Sequence, residues 1–183
     1  MKRLQKDSVL ISLIEALKTR GSWCGETHIQ KTAYFLQELL GVPLDLDFIL
    51  YKHGPYSFDL SDTLTQMQAD FMIKPIPMHP YGASLTLGDT SSLLKKKFPK
   101  TIANHKAAVN FVAVKLAGKN VGELERVSTA MYVTREADAR TGSQERAERI
   151  HQLKPHVSIE QALEAVIEFD RIQKDAGAYD TPL

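Results

Sequence analysis

The sequence predicts a mainly α-helical, α+β protein, on three observations. Apolar residues recur at helical spacing through most of the chain, as in Ile29, Ala33, Leu36 and Leu40. Two short extended stretches, 73–77 and 83–87, stand between helical stripes and are separated by His79-Pro80-Tyr81-Gly82. A third extended run, Leu46 to His53, is rich in Phe, Ile and Tyr and precedes a Gly-Pro break.

The elements follow in order. Leu10, Leu13, Ile14 and Leu17 share one helical face; Asp7 or Ser8 is placed to cap it and Gly21 to end it. Thr27 and Gln30 have the spacing of a capping box in front of the second stripe, which Gly41 and Pro43 stop. The run Leu46 to His53 reads as a strand, apolar on both faces and therefore expected to be covered on both sides. Gly54-Pro55 breaks it, since proline lacks an N–H and has a fixed φ. Ser57 is placed to cap the next helix, with Asp59 in the first turn where the dipole favours an acid. Leu60, Leu64, Met67 and Phe71 form that helix's stripe, so the stretch 51–60 reads as a strand-to-helix corner. The extended pair 73–77 and 83–87 then reads as a hairpin, restricted to edge positions by Pro75 and Pro77.

The second half is helical. Ala108, Phe111, Val112 and Leu116 mark one stripe, and Leu124, Val127, Ala130 and Met131 another. Residues 134–144 are polar and read as a loop or helix break; Ala147, Ile150 and Leu153 form a short stripe before Pro155. Ser158 and Gln161 make a second capping box, leading Ala162, Leu163, Val166, Ile167, Phe169 and Ile172, and residues 177–183 are expected to fray. Three helices followed by a hairpin is the order of a winged helix-turn-helix, with a strand inserted before the third helix. We therefore read 1–183 as a single domain, with a winged-helix-like part at 1–100 and a helical part at 101–176 packed on it.

Composition bounds the function. With 183 residues, 43% of them hydrophobic, the chain can bury a full core without metal or disulfide. A net charge of +1 gives no global pull towards nucleic acid or membrane. It conceals an asymmetry: residues 1–119 hold 15 Lys/Arg against 10 Asp/Glu, and residues 120–183 hold 8 against 12. The two halves are expected to pack on each other or to pair between chains in a homodimer. The lone Cys24 excludes an internal disulfide and fits a reducing cytoplasm. The charged, then amphipathic pattern of residues 1–18 does not read as a signal peptide, and no apolar run reaches membrane-spanning length, so no membrane partner is expected. No His-Glu-x-x-His, no cysteine pair and no phosphate-binding glycine loop occurs, so we expect no metal, no cofactor and no enzymatic activity. Cys24 reads as a half-buried residue beside Trp23, and Asp45 and Asp47 as solvated acids at a strand end.

Two binding patterns remain. The third helix carries Asp59, Asp62 and Asp70 and no Lys or Arg, which suits a polyanion badly. The alternative of DNA binding by a winged-helix regulator rests on Lys95, Lys96, Lys97 and Lys100. Tyr51, Tyr56 and Phe58 surround the Gly-Pro corner, either as core rings or as aromatic area presented to a partner.

The segments "IQKTAYFLQELLG" and "FILYKHGPYSFDL", with "VGELERVSTAMYV" and "LKPHVS" later, resemble the bacterial SocA-like and Panacea antitoxin-domain family, nearest its YwgA-like branch. The resemblance touches residues 10–175 in patches, and its most specific piece is the Gly-Pro-Tyr-Ser corner. Gln30, Lys31 and Tyr34 match the family's helix, and Gly54, Pro55, Tyr56 and Ser57 its corner. The resemblance implies a non-enzymatic protein-binding module, antitoxin- or adaptor-like, whose partner is a toxin or a client protein. The residues expected to serve that binding are Lys31, Tyr34, Tyr51, Tyr56, Ser57 and Phe58.

Overall fold

A computed structural model describes residues 1–78, 81–138 and 141–179. The described residues form helices α1 (Arg3–Thr19), α2 (Glu26–Glu38), α3 (Phe58–Ala69), α4 (Ser91–Lys97), α5 (Pro99–Leu116), α6 (Val121–Glu136), α7 (Ser143–Leu153) and α8 (Ile159–Tyr179). Strands β1 (Ile49–Tyr51) and β2 (Gly54–Tyr56) pair antiparallel, as do β3 (Ile73–Met78) and β4 (Tyr81–Leu87). The described residues are mainly helical, as the spacing predicts, with the expected hairpin at 73–87 and a further small hairpin at 49–56 that the sequence reading did not include.

The chain divides by packing into two units, one of Met1–Phe48 and Ser57–Lys119, the other of Ile49–Tyr56 and Asn120–Leu183. The division falls after Lys119 rather than after residue 100 because α5 packs along α1 and against α2. Pro99 starts α5 at a position where a missing N–H costs nothing.

In the first unit α2 is the central element. All residues from His28 to Leu36 are buried, not a single stripe. Its start differs from the sequence reading. Gly25 is the N-cap, and Gln30 points away from the helix start to the backbone of Ser57. The start of α1 differs too. Lys2 is the N-cap, its N–H satisfied by the Gln5 side chain at 3.0 Å, which leaves Asp7 and Ser8 buried inside the helix. Ser57 caps α3 as expected, accepting the Leu60 N–H at 3.2 Å. Leu60, Leu64 and Met67 are buried, but Phe71 is 67% exposed. It lies beyond the helix at φ 56°, in the left-handed position that closes a helix end, and so leaves the stripe. Its carbonyl accepts the Thr90 N–H at 3.0 Å.

The second unit packs α6, α7 and α8 together, with β2 laid on α6. Asn120 and Glu123 form a reciprocal cap on α6, and Ser158 and Gln161 do the same for α8. Arg146, buried on α7, holds both carboxylate oxygens of Asp170 on α8 at 2.8 Å. Helix α6 extends through Glu136, so part of the expected 134–144 loop is helical, and α8 continues to Tyr179 where fraying was expected at 177. Residues 180–183 of that end, and His79 and Pro80 of the 79–82 turn, lie outside the described residues.

Candidate functional site

The Gly-Pro stretch is not a break between strand and helix. Gly54, Pro55 and Tyr56 are themselves a strand, turning back on β1 through Lys52-His53, with Tyr51 opposite Gly54, Leu50 opposite Pro55 and Ile49 opposite Tyr56. Around a two-residue turn the flanking pair exchanges hydrogen bonds and the next pair does not. Pro55 therefore occupies the position where no N–H is required, which is why proline is compatible with a strand here. The expected strand at 46–53 shrinks to three residues, and it is not covered on both sides: Ile49 is 43% exposed and Tyr51 52%.

Gly54 is the foot of the hairpin. Its φ is +83°, a conformation that costs any L side chain about 1 kcal/mol or more. A Cβ there would also sit 3.1 Å from the hydroxyls of Ser128 and Thr129 and 3.3 Å from the Glu125 carbonyl. Both hydroxyls donate to that same carbonyl, at 3.1 and 2.7 Å, so α6 turns a flat, hydrogen-bonded surface to the glycine.

A buried lysine braces the turn. Lys154 is 6% exposed and its Nζ donates to the carbonyls of Tyr51 and Lys52, the latter at 2.7 Å. Burial pushes its ammonium below the ordinary 10.5, and the Glu125 carboxylate works against that shift. Glu125 is itself buried and is flanked by His53 Nδ1 at 3.5 Å and His156 Nε2 at 3.1 Å, rings whose side chains are each 59% exposed. The two imidazoles approach different carboxylate oxygens, and a lysine charge acts on the same carboxylate. Among the described residues no group of three or more His, Cys, Asp or Glu could hold a metal ion.

The residues singled out by sequence separate into two sets. Lys31, Tyr34 and Ser57 are at most 2% exposed, which makes them supports and not contact surface. Tyr34 packs edge-on against Phe35 and Phe48, with ring centres 6.4 and 5.0 Å away. Ser57 is clamped by Gln30, whose amide accepts from its N–H and donates to its carbonyl, both at 2.9 Å. Tyr51 and Phe58 reach solvent, at 52% and 55%, and Tyr56 is half-buried with its ring 5.8 Å from that of Tyr51. Tyr51 and Tyr56 belong to the second unit and Phe58 to the first. Lys154, Glu125, His53 and His156 carry no sequence pattern that joins them; only the fold brings them to the turn.

The basic run lies on α4 and the start of α5. Lys95 is committed to Glu15 at 2.7 Å, Lys97 lies 5.9 Å from the Phe98 ring centre, and Lys96, Lys97 and Lys100 are exposed. Asp59 and Asp62 on α3 are not buried; Asp70, expected within this helix, is its C-cap and is bonded by Arg3. A cavity of about 220 Å³ in the first unit is lined by Arg3, Lys6, Asp7 and Asp45 among others, and these charges pair with each other, Arg3 with Asp7 at 3.4 Å and Lys6 with Asp45 at 3.0 Å. Cys24 is fully buried, not half-buried, and burial pushes its thiol up to about 12.

Among the described residues no helix is long and apolar enough to cross a membrane. In comparison with known proteins, no family model matches the chain, and no curated protein matches it.

Proposed function

We propose that this protein is a non-enzymatic protein-binding module, an antitoxin- or adaptor-like regulatory protein of bacteria acting in the cytoplasm, and that the 49–56 hairpin is its contact element. The observation that carries this is the way the hairpin is built. Its apolar side chains Ile49 and Tyr51 are held at 43% and 52% exposure while its backbone is fixed from behind by Lys154 and by the Gly54 seat on α6. Exposed aromatic area on a pre-ordered backbone loses little conformational freedom when a partner binds. The likeness of the Gly-Pro-Tyr-Ser segment to antitoxin-domain proteins agrees with that reading, and Lys31, Tyr34 and Ser57 enter it as residues that hold the scaffold.

The test is a reciprocal pull-down from the source cells with an Ile49→Ser/Tyr51→Ser double variant as the control. A partner retained by the wild type and lost by the variant, with unchanged helical circular dichroism, is the expected result. A partner held equally by both removes the hairpin from the proposal.

One observation favours a second reading, a winged-helix DNA-binding regulator. Lys96 and Lys97 on α4 and Lys100 in the first turn of α5 are all exposed. Phosphate contacts by these lysines give a gel shift that weakens steeply with salt and disappears in a triple Lys→Gln variant. Absence of a shift at low salt ends this reading.

A further inference from the structure

The tip of the hairpin sets an exposed charge beside exposed Ile49 and Tyr51. Lys52 and His53 form the turn that follows Tyr51, and His156 meets the same carboxylate as His53; all three side chains are exposed. The carboxylate that both imidazoles meet, Glu125, is buried, with Lys154 acting on it as well. The charged side chain exposed at the turn is therefore Lys52, which is positive. This is a local feature, because the second unit as a whole carries 9 Lys/Arg against 12 Asp/Glu.

The backbone adds a direction. Because Tyr51 and Gly54 form the hydrogen-bonded pair next to the turn, the N–H and C=O of Leu50 point away from β2, towards the outer edge of β1. The protein treats the other hairpin differently. Strand β3 carries Pro75 and Pro77, whose missing N–H groups cannot pair with an added strand. Strand β1 has no such block.

We infer that the tip takes an extended, acidic segment of a partner protein, its carboxylates facing Lys52, His53 and His156, an apolar side chain resting on Ile49 and Tyr51, and its backbone meeting Leu50. This rests on the protein-binding reading above and specifies the partner's chemistry. Strand addition at an edge supplies backbone hydrogen bonds, while side chains on alternate positions supply selectivity. Charge complementarity governs the encounter and rejects basic segments.

The test pans a random peptide display library against the wild-type chain, then measures the enriched peptides by fluorescence anisotropy against wild type, Lys52→Glu and Ile49→Ser. Both substitutions lie at exposed positions, and circular dichroism confirms that each variant is folded. The expected result is enrichment of peptides alternating apolar residues with Asp or Glu, bound at least about tenfold more weakly by Lys52→Glu. Their affinity should also fall between about 50 and about 300 mM salt. Enriched peptides that are basic or without charge bias overturn the inference, as does an affinity unchanged in both variants; the copurification experiment above decides the protein-binding reading separately. A dimer broken by Lys52→Glu in sedimentation overturns it too, since a second copy then occupies the tip. No enrichment at all overturns this inference, while a partner that still copurifies with the wild type and not with the double variant keeps the proposed function.

Discussion

Lys154→Met is the substitution that questions the hairpin's brace most sharply. Methionine keeps most of the stem that fills the buried site and deletes only the ammonium. Two carbonyls, those of Tyr51 and Lys52, lose a charged donor, and Glu125 loses a neighbouring positive charge. A hydrogen bond to a charged group contributes about 1.5–3 kcal/mol net. Two such bonds set the upper range, but the carbonyls belong to exposed residues and can turn to water. Removing a buried ammonium also recovers part of its desolvation cost. The balance is a loss of about 2 kcal/mol, roughly a thirtyfold change in the folding equilibrium. With a urea slope of about 2 kcal/mol per molar, the midpoint falls by about 1 M and the slope is unchanged. Hydrogen exchange should quicken first at Tyr51 and Gly54, the hydrogen-bonded pair beside the turn. The pH dependence has a definite sign. Because burial lowers the Lys154 ammonium below 10.5, the unfolded chain binds more protons at this residue than the folded one as pH approaches 10.5. The residue's contribution to stability therefore rises with pH in the window just below 10.5, and that rise is missing in Lys154→Met. The exposed Lys174→Met on α8 serves as control and should change stability by less than about 0.5 kcal/mol. A Lys154→Met protein as stable as this control, with unaltered exchange at the turn, refutes the brace.

Four further outcomes follow from the same geometry. Gly54→Ala must adopt a positive φ and press a methyl on Ser128, Thr129 and the Glu125 carbonyl, so chemical denaturation should show a loss of more than about 1.5 kcal/mol. Gln30→Leu leaves the buried N–H and C=O of Ser57 without the amide that satisfies both, which costs about 2–4 kcal/mol in the same measurement. Asp7 is held above 3.8 by burial, which outweighs the opposing effect of Arg3. The folded state therefore binds its proton more readily than the unfolded one, and this contribution to stability is lost as pH rises above 3.8. Asp7→Asn should melt no lower than wild type at pH 7, with the difference narrowing as pH falls below 3.8. Cys24, with its thiol at about 12 and no exposure, should resist iodoacetamide at pH 8 until urea unfolds the chain, and a rate like that of a free thiol in the folded protein contradicts its burial.

Sequence carries much of this fold, for identifiable reasons. The Ser57 cap, the Ser158–Gln161 box and the β3–β4 hairpin depend on neighbours in the chain, so local chemistry suffices to place them. Readings failed where a side chain was claimed by something distant. Gln30 has the spacing of a capping box with Thr27, but Ser57, 27 positions away, takes both ends of its amide. Phe71 continues an apolar stripe, yet the helix closes one residue earlier and turns it to solvent. Gly-Pro normally punctuates a strand; here it forms one, because Pro55 falls on the pair that needs no N–H and α6 supplies a seat that only glycine fits. The brace was beyond reach altogether. Lys154 is 103 positions from the Tyr51 carbonyl it holds, and Glu125 is 31 from His156. Burial also divided the aromatic and polar candidates in a way no pattern reveals, since Tyr34 and Tyr51 are the same residue type with 2% and 52% exposure.

The central claim is that the 49–56 hairpin is where another protein is held. A photocrosslinking residue, p-benzoylphenylalanine, placed at Tyr51 tests it directly, with the same residue at Val114, 59% exposed on α5, as the reference. Irradiation in the source cells should give one discrete adduct from position 51, absent from position 114 and lost on adding Lys52→Glu. Equal adducts from both positions, or an adduct from 114 alone, would contradict the assignment of the hairpin as the contact element.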